Sequence, residues 1–334
     1  MAATQCERSE PTPTQRGRAR QEGCCTPQMI LAESPRGSAY RAGMDTIVFE
    51  LPDGRELGFS EAGDPAGFPV IGFHGTPGSR RQILFGTTDE IAKRAGARLV
   101  VPDRPGYGHS TFDPGRRLTD WPKDVAVLAD RLGIHRFAVV GISGGGPHAL
   151  VCAALLGNRV TRAAVVSGMG PISSVADSQS MMASNRLVSS LARRSEKAVL
   201  PITTLMTTVA RRWPEQAMKS MAKQLPPSDV AVLERPDVFA AFITDVRSPS
   251  ATTARASAQD FSLFARPWGF DLSDIKMPVD FWQGDADRNV PPDHARRQSD
   301  RVAGSVLHEI PGEGHFMVLD HLEEILRTAI TDRR

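Results

Sequence analysis

Short, almost uninterrupted apolar runs alternate with helical stretches along this chain, and that alternation limits its fold more than any other feature. "PVIGF" (69–73), "ARLVVPD" (97–103), "RFAVVG" (136–141) and "VTRAAVVSG" (160–168) carry hardly a polar residue. A strand with one wet face alternates apolar and polar positions, whereas one covered on both faces does not, so these runs fit strands between two helical layers. The stretches between them, "RRQILFGTTDEIAKRAG", "LTDWPKDVAVLADRLG" and "GGPHALVCAALLG", space their apolar residues as helices do. Strands alternating with helices predict an α/β fold with a mostly parallel sheet and right-handed crossovers. Before them, "TIVFEL" (46–51) and "RELGFSEAG" (55–63) flank "PDG", the signal of a hairpin turn.

The pattern stops at about residue 171 and resumes near 266. Between those points "SSVADSQSMMASNRLVSSLARR", "VLPITTLMTTVARRW", "EQAMKSMAKQL" and "SDVAVLERPDVFAAFITDV" all read as helices. "MPVDFWQG" (277–284) and "SVLHEIPG" (305–312) are then two further strands, and "FMVLDHLEEILRTAI" is a closing helix. The expected organisation is one α/β core, residues 44–170 and 266–334, interrupted by a helical cap at 171–265. Residues 1–43, rich in Pro, Gly, Arg, Ser and Gln, hold too little apolar surface to offset the entropy of ordering and are expected to be a disordered tail. Whether that tail belongs to the native protein is open, since structured sequence begins at Met44.

With 40% hydrophobic and 23% charged residues and a net charge of +2, the chain has the composition of a globular protein without an electrostatic footprint for nucleic acid or anionic membrane. No apolar run approaches the ~18 residues of a membrane span. Three of the four cysteines lie in the tail, leaving Cys152 alone in the body, which predicts a reducing, cytoplasmic setting. No spacing of His, Cys or acidic residues suggests a metal, and no glycine loop suggests a nucleotide; no cofactor is expected. A small-molecule substrate is the expected partner, and a homo-oligomer is allowed.

The candidate chemistry begins at "GISGG" (141–145), a G-x-S-x-G pattern. Ser143 directly follows a predicted strand and opens a predicted helix. A serine in such a tight turn is pushed above the sheet edge, and the helix N-terminus behind it offers N–H groups to a developing anion. Side chains at Gly141 and Gly145 would collide with the neighbouring elements. Among eight histidines, His308 falls in a predicted strand, His294 and His321 on helices, and His135 just before a strand. His148 is expected to pack on the helix after Ser143, and His109 to line the site from a loop. His315 follows the last strand across "PGEG" (311–314) and precedes the closing helix, a loop position from which an imidazole can reach over the sheet.

Four motifs together, "HGTPGS" (74–79), "DRPGYGHS" (103–110), "GISGGG" (141–146) and "GDADRNVP" (284–291) followed by "GEGHF" (312–316), resemble serine hydrolases of the α/β-hydrolase fold, in their lipase/esterase and proline-iminopeptidase-like branch. The resemblance covers roughly residues 45 to 330. It implies the chain order nucleophile, acid, base, which His315 satisfies as base. Two aspartates, Asp285 and Asp287, follow the penultimate strand; the family's G-x-x-D-x-x-V-P pattern assigns the acid to Asp287 and a turn role to Asp285. The same resemblance assigns the oxyanion-binding N–H groups to Thr76 and Gly144, with His74 and Gly75 shaping the loop beside them. It makes Asp103 and the glycines of "DRPGYGHS" structural.

The implied activity is hydrolysis of a small carboxylic ester through an acyl-enzyme. Iminopeptidases of this branch commonly carry Trp after the nucleophile and hold a cationic peptide N-terminus with cap carboxylates. Here that position is Gly144, and the cap holds 11 basic and 8 acidic residues. Aminopeptidase or carbon–carbon bond hydrolysis is the alternative on this fold, and a catalytically silent ligand receptor the alternative outside enzymology. The cap methionines Met181, Met182, Met206, Met218 and Met221 are expected chiefly to pack the cap's own core.

Overall fold

The computed structural model describes residues 30–31, 46–248 and 253–331. Among the described residues the strands are β1 (Ile30–Leu31), β2 (Ile47–Glu50), β3 (Glu56–Gly63), β4 (Phe68–Phe73), β5 (Ala97–Pro102), β6 (Phe137–Ile142), β7 (Val160–Val166), β8 (Val279–Gly284) and β9 (Val306–Ile310). They form one sheet in the order β1-β2-β3-β5-β4-β6-β7-β8-β9. The pairs from β1 to β3 and β3 with β5 are antiparallel, and every pair from β5 to β9 is parallel. Each of the eight strands read from the sequence is therefore present, in a mostly parallel sheet. Most of the 1–43 stretch lies outside the described residues; Ile30–Leu31 within it pairs with β2.

The apolar runs are continuous because successive residues serve two cores. Ile71, Val100, Val139 and Val165 face a cluster with α2 (Trp121–Arg131) and α3 (Gly146–Leu155). Their neighbours Val70, Leu99, Val101, Ala138, Val140, Ala164 and Val166 face a second cluster with α1 (Thr88–Ala95) and the closing helix α12 (Val318–Ile330). Side chains alternate across a strand, so a sheet sandwiched by helices needs apolar residues at every position. Each fully buried Val, Leu or Ile side chain among them contributes about 1.5–3 kcal/mol. Helix α3 is buried at eight of its ten positions, consistent with its apolar residues running all the way round.

Between β7 and β8 lie α4 (Val175–Ser178), α5 (Ala183–Ala192), α6 (Glu196–Arg212), α7 (Pro214–Ala222), α8 (Pro227–Leu233), α9 (Pro236–Arg247) and α10 (Ala254–Phe264); α11 (Asp293–Ser299) joins β8 to β9. Met181 joins Val188, Val199, Phe261 and Phe264 in a cluster of this helical segment. Met182 and Met221 pack in another, with Phe85 and Phe316 of the α/β part. Met218 is buried and Met206 exposed, so the methionines mostly fill packing space. Among the described residues no helix is long and apolar enough to cross a membrane.

Candidate active site

Strand β6 ends at Ile142, and the chain turns through Ser143 into α3. Ser143 has φ +53°, a left-handed conformation rare for a residue with a side chain. Holding it there costs about 1–3 kcal/mol, which the surrounding packing must offset. The turn is close-packed: a Cβ on Gly141 would run into the Gly145 carbonyl and Ala149, and one on Gly145 into the Phe73 carbonyl. The Ser143 carbonyl accepts a hydrogen bond from the Met169 N–H at 2.9 Å, which ties the turn to the end of β7.

Three side chains distant in sequence meet at this turn. The Ser143 hydroxyl lies 3.1 Å from His315 Nε2, and His315 Nδ1 lies 2.8 Å from Asp287 Oδ2. Asp287 follows β8 and is buried; its Oδ1 accepts the backbone N–H groups of Asn289 (2.8 Å) and Val290 (3.0 Å), and Gln283 Nε2 donates to its Oδ2 at 3.2 Å. An acceptor-only carboxylate at Nδ1 requires the imidazole to carry its proton there, leaving Nε2 to accept from the serine. Asp285 is exposed and accepts the Gly312 N–H at 2.7 Å, a turn contact. Burial acts to lower the His315 pKa, but the charge and hydrogen bond of Asp287, with Asp229 adding, raise it above its ordinary value.

The loop after β4 comes against the same turn. A Cβ on Gly144 would fall 3.0 Å from the Thr76 backbone nitrogen, and one on Gly75 3.4 Å from Ser143 Cβ. His74 is fully buried: its Nε2 accepts the Arg104 backbone N–H at 3.1 Å, so Nδ1 carries the proton and donates to the Gly75 carbonyl at 2.9 Å. The sequence-predicted residues Ser143, Asp287, His315, Thr76, Gly144, His74, Gly75, Gly141 and Gly145 are thus gathered at one end of the sheet. His109 is not among them: it lies against Gly58 on β3, three strands from β6. Asp103 is buried and pairs with the Arg80 guanidinium.

A family model described as alpha/beta hydrolase fold matches residues 69–322. The chain belongs to this family. Among curated relatives it is 33% identical over 117 residues to the uncharacterized hydrolase YcgS of Bacillus subtilis, covering 35% of this chain and 38% of that one. It is 30% identical over 96 residues to a proline iminopeptidase of Lactobacillus delbrueckii, covering 27% and 32% respectively. These matches span about a third of the relatives' length. An esterase structure from Exiguobacterium antarcticum superposes with a TM-score of 0.61 at 17% identity, over 84% of this chain and 96% of that one, a likeness of fold.

In this alpha/beta hydrolase the helical segment contributes carboxylates that sequence reasoning missed. Asp229, on α8, is buried and accepts the backbone N–H groups of His315 (Oδ2, 2.9 Å) and Phe316 (Oδ1, 2.8 Å). A Cβ on Gly314 would overlap that carboxylate. Asp260, on α10, is fully buried and accepts from the Thr76 hydroxyl (2.7 Å) and Tyr107 (2.8 Å), and pairs with Arg104 and Arg116. Burial opposes its ionisation, but the two guanidinium groups outweigh it and hold the carboxyl below the usual range. The available signal was chemical: an aspartate amid "ASA" and "FSLF", and an arginine in a tight turn motif, imply buried partners.

Proposed function

We propose that this chain is a serine hydrolase acting on a small carboxylic ester, with Ser143 as nucleophile, His315 as base, Asp287 as its orienting acid, and the Thr76 and Gly144 N–H groups as oxyanion donors. The observation that carries the reading is the unbroken hydrogen-bonded line from the Ser143 hydroxyl through His315 to Asp287. In the reaction His315 Nε2 takes the hydroxyl proton as the serine oxygen attacks the ester carbonyl. The tetrahedral anion collapses when His315 returns that proton to the leaving alcohol. Water, deprotonated by the same nitrogen, then cleaves the acyl-enzyme. Residues 171–265 act as the cap over this centre.

Two observations favour an ester over a peptide N-terminus. The buried carboxylates of the helical segment are engaged: Asp229 by two backbone N–H groups, Asp245 by the Ser79 hydroxyl, Asp260 by two arginines. At position 144 a side chain has no room beside Thr76. A fluorophosphonate probe should label the wild type, and Ser143→Ala should abolish labelling and lower kcat on a p-nitrophenyl ester by about 10⁵–10⁶-fold. Equal labelling of both proteins, or of neither, removes the reading. Turnover of prolyl anilides in preference to p-nitrophenyl esters would instead select aminopeptidase chemistry.

A further inference from the structure

Behind the Thr76 loop lies a buried, charged cluster whose geometry singles out one member. Arg104, Arg116, Asp260, His74 and His148 are each at most 6% exposed. Burial pushes both imidazoles well below their ordinary pKa, with Arg104 adding to the effect, so they are neutral. Two guanidinium groups therefore face one carboxylate, leaving a net positive charge enclosed next to the site.

Arg104 directs that charge. One of its nitrogens, Nη2, donates to the Gly75 carbonyl at 2.9 Å and to the Thr76 hydroxyl at 2.8 Å, while Nη1 pairs with Asp260. The Gly75 carbonyl and the Thr76 N–H are the two ends of a single peptide unit. A donor on the carbonyl oxygen draws electron density from the amide nitrogen and makes its N–H a stronger donor, most of all when the first donor is cationic and enclosed in low dielectric. The amide joining Ser143 to Gly144 is backed by neutral backbone donors instead, the N–H groups of Met169 and Gly146.

We propose that Arg104 is a positioning residue for the reaction: through the Gly75–Thr76 peptide it fixes and polarises one N–H of the oxyanion site. The inference rests on the reading of Ser143 as nucleophile and of Thr76 as oxyanion donor. Arg116 supplies the internal control. It is buried in the same cluster and pairs with the same carboxylate, but its bonds run to Gln259, His148 and Asp260, and none to Gly75 or Thr76.

The test compares wild type, Arg104→Gln and Arg116→Gln for hydrolysis of p-nitrophenyl butyrate, for inhibition by butaneboronic acid, whose serine adduct places an oxygen where the tetrahedral anion sits, and for inhibition by butyrate. Arg104→Gln should lower kcat/KM by about tenfold or more and weaken the boronate by a similar factor, leaving KM and butyrate inhibition within about twofold. Arg116→Gln should leave boronate affinity within about twofold of wild type even where its melting temperature falls. Equal boronate affinity in wild type and Arg104→Gln, or equal losses in both variants, overturns the proposal. If Arg104→Gln does not fold, Arg104→Lys replaces it; lysine lacks the planar fork that reaches Asp260 through one nitrogen and Gly75 and Thr76 through the other, so boronate affinity should still fall, and an unchanged value overturns the proposal. A wild type that neither reacts with fluorophosphonate nor hydrolyses the ester defeats the nucleophile reading itself, and this inference with it.

Discussion

His315 is enclosed, and enclosure alone would disfavour its imidazolium; the carboxylates of Asp287 and Asp229 reverse that balance. A base must be neutral to accept the serine proton, so activity is lost as pH falls through the His315 pKa. Because that pKa is raised from 6.5, the acid limb of kcat/KM should lie above 6.5. Asp229→Asn removes one negative charge while keeping the shape, and should move the limb to lower pH. It should also lower kcat roughly 10- to 100-fold, because an amide presents only one acceptor to the two N–H groups that hold the loop. A pH–rate profile of both proteins checks this, and a limb that stays in place counts against Asp229 acting on His315. The serine and histidine were legible in the sequence because each sits at a punctuated boundary, a glycine turn after an apolar run. Asp229 was not, because its partners lie 86 and 87 residues away and no local pattern marks it.

At the scale of elements, the β6–α3 turn leaves no room for a side chain at Gly141 or Gly145. Gly145→Ala places a methyl group against the Phe73 carbonyl of β4, whose backbone cannot yield without disturbing the sheet. Fluorophosphonate labelling should be lost together with several degrees of melting temperature; labelling at the wild-type rate would show that the turn has slack. The strands themselves were readable because burial on both faces writes a continuous apolar run. The helices between β7 and β8 were readable as helices, yet where they dock was not. Their docking bonds join segments far apart in sequence, as Asp260 does with Thr76, 184 residues distant.

Across the whole molecule, stability and site geometry share the same buried charges. Asp260→Asn would leave Arg104 and Arg116 enclosed without their counter-charge, and should destabilise the fold by about 3–5 kcal/mol. Chemical denaturation measures it; a loss under about 1 kcal/mol would mean that the two arginines find water or another acceptor. The helices between β7 and β8 reach three loops of the site. Asp260 holds the Thr76 hydroxyl, Asn185 and the Met182 N–H reach the Arg288–Asn289 stretch beside Asp287, and Asp229 holds the loop of His315. A swing of α8 away from the sheet would carry the Asp229 carboxylate with it and free two amides of the imidazole's own segment. Admission of a molecule by that route would therefore idle the proton acceptor, and re-arm it only once the doorway had shut.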